Sequence, residues 1–271
     1  MSKLELQKEL EALFSKNQLI PRITNEFTQC KGFSFLGYFK KLELKPEFGF
    51  SLLVQMVLHK RADLPTLVGL LRRHCDSAQD CVDQLQKAAE GDLIDWSPAA
   101  RVFVIKPGLD ITPDVQAELD RFQFPLPMVV EPKEIKNNRQ SGYLLNNSSV
   151  LLRDNHHEDD VCLDHLNRVN KIKLTVNQDT AKMIKNSWKN LDKAKDGESK
   201  DEFERRKKAF AKYDKSAHEV INLVISEGNE FHLTHRYDKR GRTYSQGYAI
   251  NVQGNPWNKA IVEFFDKELV V

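Results

Sequence analysis

Residues 238–244 read Asp-Lys-Arg-Gly-Arg-Thr-Tyr, and these types in this order can do chemistry on an anionic ligand. Arg240 and Arg242 each present a planar fork of donors suited to phosphate, sugar or base edges. Gly241 between them has no Cβ and tolerates positive φ, so the backbone there can approach a ligand closely. Tyr244 adds a ring that packs on a base or sugar. Asp238 orients the turn or pairs with Arg240 or Arg242. A second glycine, Gly254, lies in Gln253-Gly254-Asn255 just before Pro256. The set predicts a turn held against nucleic acid. The plainer alternative is an ordinary turn closed by a surface ion pair.

A second basic feature lies upstream. From Asp201 to about Asn229 the spacing predicts one long helix. Phe203, Phe210, Tyr213, Ala217, Val220 and Val224 are its apolar positions, and from Phe210 onward they form an amphipathic stripe. On another face Arg205, Lys208, Lys212 and Lys215 recur at steps of 3, 4 and 3, making a ridge of cations. Residues 161–271 carry 21 Lys and Arg against 16 Asp and Glu, whereas residues 1–160 carry 20 against 23. The excess of positive charge therefore sits in the half that holds both basic features, where it attracts a phosphate backbone.

The elements that must position these residues are mostly helices. Residues 2–16 read as an amphipathic helix with Leu4, Leu6, Leu10, Leu13 and Phe14 inward. Phe48–His59 is apolar enough for a buried helix, with Pro46 before it. Leu64–His74 follows, with Pro65 in its first turn, and then Asp76–Glu90, with Ser77 as N-cap and Gly91 at its end. Residues 18–45 give no clear assignment. Asp92–Trp96 and Arg101–Ile105 are β-like runs around Ser97-Pro98-Ala99-Ala100, a hairpin near 92–106. Thr112 and Pro113 start a short helix to Phe122. Residues 123–155 form an extended connection kept open by Pro125, Pro127 and Pro132. Residues 161–185 return to helical spacing, 186–200 end in a polar turn, and 233–265 read as strand–turn–strand.

Composition narrows the class. With 40% hydrophobic and 30% charged residues in a chain of 271, a globular fold with a sizeable core is expected. No run of about 18 apolar residues occurs, which argues against a membrane span, and the amino terminus lacks a signal-peptide core. Cys30, Cys75, Cys81 and Cys162 form no Cys-x-x-Cys pair, so they read as reduced thiols rather than a zinc site. His156-His157-Glu158-Asp159-Asp160 reads as a solvated loop more readily than as a metal site.

Asp-x-x-Gly-Arg, an aromatic residue two positions on, and then Gln253-Gly254-Asn255 resemble the start of the palm in single-subunit RNA polymerases of the phage and mitochondrial type. Pro127-Met128-Val129-Val130-Glu131-Pro132-Lys133, followed by Ser141-Gly142-Tyr143, resembles the segment that precedes the thumb in that family. Asn167 to Asn177 resembles the stretch leading into the thumb. The matches run in family order over roughly residues 125–265, and residues 1–120 carry no motif-level match. The fold implied is α+β, mainly helical. It has a polymerase-like N-terminal domain over 1–160, thumb-like helices over 161–229, and the first part of the palm over 230–271.

The resemblance also implies a role. Family members continue well beyond the position equivalent to Val271, through the fingers and the two metal-binding aspartates. The expectation is therefore the small, amino-terminal subunit of a two-subunit phage RNA polymerase, a heterodimer working in the cytoplasm of the infected host cell. A large partner subunit would supply the remaining palm, the fingers and the carboxylates that bind magnesium. The partners implied are that subunit, the DNA template, the RNA–DNA hybrid and nucleotides, with no membrane. In this resemblance no catalytic or metal-binding residue lies in this chain. Arg242 contacts the template or hybrid, Arg240 touches phosphate, Gly241 shapes the turn, Tyr244 packs nearby and Gln253 reaches the minor groove. The 205–215 cations grip the hybrid backbone, and the 92–106 hairpin is a candidate wedge at melted DNA. Asp238 and Gly254 shape their motifs, and His232 and His235 are local structure. The alternatives are an accessory transcription factor that binds nucleic acid outside the catalytic core, a structural interaction protein, and a fragment of a longer polymerase.

Overall fold

A computed structural model describes residues 2–105, 111–113, 116, 124–152, 159, 161–188 and 190–267. The fold is α+β and mainly helical, with about 48% helix and three small antiparallel sheets among the described residues. No described helix is long and apolar enough to cross a membrane. The chain forms two compact units, Lys16–Asp120 and Met1–Ser15 with Arg121–Val271. The first helix, α1 (Lys3–Leu13), belongs to the second of these.

In the Lys16–Asp120 unit, α2 (Lys16–Thr28) and α3 (Phe35–Lys41) occupy the stretch without a clear sequence assignment. Pro21 lies inside α2 and obscures its pattern. The core is built on α4 (Pro46–His59), whose Phe48, Leu52, Leu53 and Met56 are fully buried. Around it pack α5 (Leu64–Leu71), extended by a 3-10 turn Arg72–His74, and α6 (Ala78–Glu90). The Ser77 hydroxyl accepts from the Asp80 backbone N–H at 2.9 Å and caps α6 as expected. The strands β2 (Ile94–Ser97) and β3 (Val102–Ile105) pair antiparallel, with Trp96 opposite Phe103. A two-residue strand, β1 (Arg61–Ala62), adds to the other side of β3. Most of the short helix expected after Thr112 lies outside the described residues, as do most of the 156–160 loop and Val270–Val271.

In the second unit, residues 161–185 are not one helix. α7 (Leu163–Asn170) ends before β4 (Leu174–Val176), and α8 (Gln178–Met183) follows. The alternating Leu174-Thr175-Val176 pairs with β7 (Val262–Phe264), Leu174 opposite Phe264, and strand pairing overrides the helical spacing. The long helix does form, as α9 (Lys200–Ser226). It starts in a reciprocal Ser199–Glu202 capping box and stops where Gly228 and Asn229 take positive φ. Tyr213, Ala217, Val220, Ile221 and Val224 are its buried face. Over 161–229, where thumb-like helices are expected, the chain therefore forms one long helix preceded by short elements. After it come β5 (His235–Tyr237), β6 (Thr243–Ser245) and α10 (Pro256–Ile261), which leads directly into β7. Residues 246–252, expected to continue an alternating strand, are irregular. Residues of 161–229 and 230–271 share one core: Val220 and Val224 of α9 cluster with Phe231, Trp257 and Ile261.

α1 departs from its expected inward face. Leu10 is buried, but Leu4 and Leu13 are exposed, while Gln7 and Glu11 are buried. The reason is hydrogen bonding. The Glu11 carboxylate accepts the backbone N–H groups of Leu144 at 2.7 Å, Leu145 at 2.6 Å and Asn146 at 3.2 Å. Gln7 Oε1 accepts the Val129 N–H at 2.8 Å. The irregular 124–152 segment thus obtains partners from a helix rather than from a sheet. Glu11→Ala should lower the unfolding free energy by about 3 kcal/mol, because it removes the shared acceptor of three partly buried N–H groups, whereas Leu4→Ala should change it by less than about 0.5 kcal/mol. Urea denaturation of both variants measures this, and equal effects would contradict the assignment.

Candidate nucleic-acid interface

The 238–242 turn joins β5 to β6, with Tyr237 opposite Thr243. The Asp238 N–H donates to the Arg242 carbonyl at 2.9 Å, and the Gly241 N–H donates to the Asp238 carbonyl at 3.0 Å. Gly241 has φ of 77°, the left-handed conformation for which its type is suited. The Asp238 carboxylate is the hub. Its Oδ1 accepts the backbone N–H groups of Arg240 at 2.9 Å and Arg242 at 3.0 Å. Its Oδ2 accepts Arg240 Nε at 3.0 Å and Nη2 at 2.9 Å, Arg242 Nε at 2.9 Å, and the Tyr244 hydroxyl at 3.3 Å.

Charge follows from this geometry. Burial pushes the Asp238 carboxyl upward, but the backbone and guanidinium of Arg242 and the Tyr244 hydroxyl outweigh it and hold it below its usual value. The side chain of Asp238 is 13% exposed, whereas those of Arg240 and Arg242 are 61% and 52% exposed. One inner carboxylate therefore aligns two outward guanidinium groups, most of whose donors remain for a ligand. The Arg242 guanidinium carbon lies 5.7 Å from the centre of the Tyr244 ring, within cation–π range. With Oδ1 engaged by two backbone N–H groups and Oδ2 by both guanidinium groups, this carboxylate does not fit a magnesium site. Among the described residues no group of three or more His, Cys, Asp or Glu is placed to hold a metal ion.

Gln253 does something its sequence position did not reveal. Its Oε1 accepts the Ser245 N–H at 2.9 Å, and its Nε2 donates to the Thr243 carbonyl at 2.9 Å. The amide stands in for a strand partner along β6, leaving one lone pair and one N–H for any groove contact. A Cβ on Gly254 would lie 3.1 Å from the Asn251 carbonyl oxygen and 3.1 Å from Asn258 Cβ, so glycine permits this close approach. Asn255 caps α10, with Oδ1 accepting the Asn258 N–H at 2.9 Å, and its Nδ2 donates to Asn186 Oδ1 at 2.8 Å. Asn186 in turn donates to Asp214 of α9 at 2.8 Å, and Asn258 donates to the Tyr213 hydroxyl at 2.6 Å. This asparagine network ties the Gln-Gly-Asn element to the long helix. Its only sequence signal was the recurrence of Asn251, Asn255 and Asn258.

The four cations of the α9 ridge, Arg205, Lys208, Lys212 and Lys215, are exposed. Arg205 Nε donates to the Asp201 carbonyl at 3.3 Å. The neighbouring Arg206 behaves differently. It grips Glu198 through two bonds, of 2.8 Å and 2.7 Å, in a pair whose side chains are only 16% and 12% exposed. The Arg206 guanidinium draws the Glu198 carboxyl down to about 2. Arg206 therefore anchors the loop before α9, while the ridge faces solvent.

The upstream segment with the Gly-Tyr element packs into the same unit. Met128 and His232 exchange backbone bonds of 2.9 and 2.8 Å, and the Lys133 N–H donates to the Gly142 carbonyl at 2.9 Å. Tyr143 is buried and donates to the Leu126 carbonyl at 3.2 Å. His232 and His235 are buried beside Asn170, with Nδ1 3.2 Å from its carbonyl and 2.9 Å from its Oδ1, respectively. His165, 3.4 Å from the Thr243 hydroxyl, borders the turn and was not anticipated.

No protein-family profile matches the chain, and no curated protein matches it.

Burial, helped by His165, lowers His235 to about 4, and burial also lowers His232. For His235 the folded value lies below the unfolded value of about 6.5. Stability is then full above about pH 6.5 and falls as the pH drops toward 4, where the unfolded chain binds the proton and the folded one does not. The loss from His235 reaches about 3 kcal/mol. Urea unfolding at pH 7.0 and 4.5 should show a smaller pH effect for His235→Gln than for the unaltered chain. An equal effect would contradict the buried neutral imidazole.

Proposed function

We propose that this chain is a subunit of a DNA-dependent RNA polymerase, contributing contacts to the template and to the RNA–DNA hybrid. The observation that carries the reading is the 238–242 turn, where one sheltered carboxylate fixes two exposed guanidinium groups beside a tyrosine ring. Such a fork is suited to phosphate and sugar atoms, which position a strand without specifying its sequence. The order of the Gly-Tyr, Asp-x-x-Gly-Arg and Gln-Gly-Asn elements, and their likeness to single-subunit RNA polymerases of the phage and mitochondrial type, support this class.

In this reading the chain is the small, amino-terminal component of a phage heterodimer acting in the cytoplasm of the infected cell. Residues 16–120 fall in an N-terminal domain, α9 stands in the place of the thumb, and the β5–β6 hairpin with α10 and β7 begins the palm. Arg242 contacts the template or hybrid, with Tyr244 packed beside it, and Arg240 touches phosphate. Arg205, Lys208, Lys212 and Lys215 attract the hybrid backbone. Asp238, Gly241 and Gly254 hold the motifs in shape. Gln253 holds β6 and keeps one donor and one acceptor for the minor groove. The magnesium ions, the aspartates that bind them and the nucleotide site belong to the large partner subunit.

The test is RNA extension on an annealed RNA–DNA scaffold with magnesium and nucleotides, using this chain alone, the chain that copurifies with it alone, and the mixture. Extension is expected from the mixture only. Arg242→Ala in the mixture should lower extension by about 10- to 100-fold, the loss of one charge-assisted contact, with the thermal unfolding midpoint little changed. Extension by this chain alone, or unaltered extension with Arg242→Ala, would overturn the reading.

A further inference from the structure

Phe124 and Tyr248 lie face to face, with ring centres 4.4 Å apart and planes 26° from parallel. Of the ring pairs among the described residues it is the most nearly parallel; most of the others meet edge-on or tilted. The two rings are also among the exposed large apolar side chains, at 41% and 40%. An edge-on pair presents an edge to a visitor, but a parallel stack ends in a ring face, the surface on which a nucleobase stacks.

The Tyr248 half of the stack is held in place. Tyr248 packs edge-on against Tyr213 of α9, with centres 4.9 Å apart, and Tyr213 is buried. Gly247, just before Tyr248, has φ of 116°, and a Cβ there would lie 3.0 Å from the Ile250 carbonyl oxygen. Asn251 Nδ2 donates to the Gly247 carbonyl at 3.0 Å, and the Gln246 N–H donates to the Thr234 carbonyl at 2.7 Å. A ring fixed in this way loses little conformational freedom when a ligand arrives.

Cations lie within reach along the chain. Tyr248 is six positions after Arg242, so their Cα atoms are at most about 22 Å apart. The exposed Lys212 adjoins Tyr213 in α9. Cations for the phosphates with an exposed ring face for the bases are the combination that holds single strands. We propose that the Phe124–Tyr248 pair is a stacking platform for one unpaired nucleobase of the strand whose phosphates meet Arg240 and Arg242. The proposal rests on the nucleic-acid reading above and adds a base contact to it. The base must be unpaired, because the faces of a base inside a duplex are already covered by its neighbours.

The test uses the whole chain and single-stranded 12-residue oligonucleotides, DNA in one arm and RNA in the other. Each carries 2-aminopurine, whose fluorescence is quenched on stacking, at successive positions. One position should be quenched on binding, and the arm with the stronger quenching identifies the strand. Tyr248→Ala and Phe124→Ala should each remove the quenching and weaken binding about 5- to 100-fold, with the salt dependence of binding unchanged. Tyr248→Phe should behave as the unaltered chain. Circular dichroism and thermal unfolding check that each variant is folded. If the chain binds with normal salt dependence but no position is quenched, or quenching survives in both folded alanine variants, the platform is overturned and the phosphate-binding reading stands. If neither DNA nor RNA binds at any salt concentration, both fail.

Discussion

Every buried backbone N–H and C=O needs a hydrogen-bond partner, and much of the unit that carries the arginine turn is irregular chain without a sheet to supply one. Side chains fill that need. Glu11 receives three consecutive N–H groups of the 144–146 segment. Asn229 pairs both ways with Val176 through its side-chain amide. Asn167 does the same for Ile135, and Gln253 for the β6 backbone. Each is a polar side chain acting as a strand partner. Together they let loops from distant parts of the sequence share one core without long strands, and the site is built on those loops.

The electrostatics follow the same division between inward and outward groups. Arg206 and Glu198 close on each other at the start of α9, and both are largely shielded. Asp238 also pairs with arginine, but it holds two guanidinium groups whose outer parts stay in solvent. The first arrangement neutralises a charge and anchors a loop. The second leaves a net positive charge with fixed orientation, which is what a turn needs if it is to meet an anionic strand without reorganising. The exposed ridge on α9 lacks that orientation and adds attraction rather than geometry.

Elements with strong local signals were legible in the sequence. The Ser77 cap, Pro65 in the first turn of α5, the apolar run of α4 and the 3.6-residue stripe of α9 each place a helix from neighbouring residues alone. The paired patterning of β2 and β3 places the hairpin in the same way. Apart from α2 and α3, in the stretch without a clear assignment, the elements missed include ones whose signal is too short to have a period: β1 of two residues and β4 of three. Their pairing partners lie far off in the sequence, with Leu174 opposite Phe264. The 161–185 stretch read as helix because nothing local announces that β7 will arrive beside it.

The residue types of the turn followed from the sequence by itself: a glycine between two arginines, an aspartate to orient them and a tyrosine after. So did the mainly helical class and the asymmetric distribution of charge, because composition, caps and periodicity are local properties. Only the tertiary structure decided that Glu11 is buried and Leu4 exposed, that Gln253 serves β6, and that asparagines join Asp214 to the Gln-Gly-Asn element. Only it brought Phe124 against Tyr248. Whether a polar side chain faces water or backbone depends on which backbone groups lack partners, and that is set by long-range packing which no short stretch of sequence encodes.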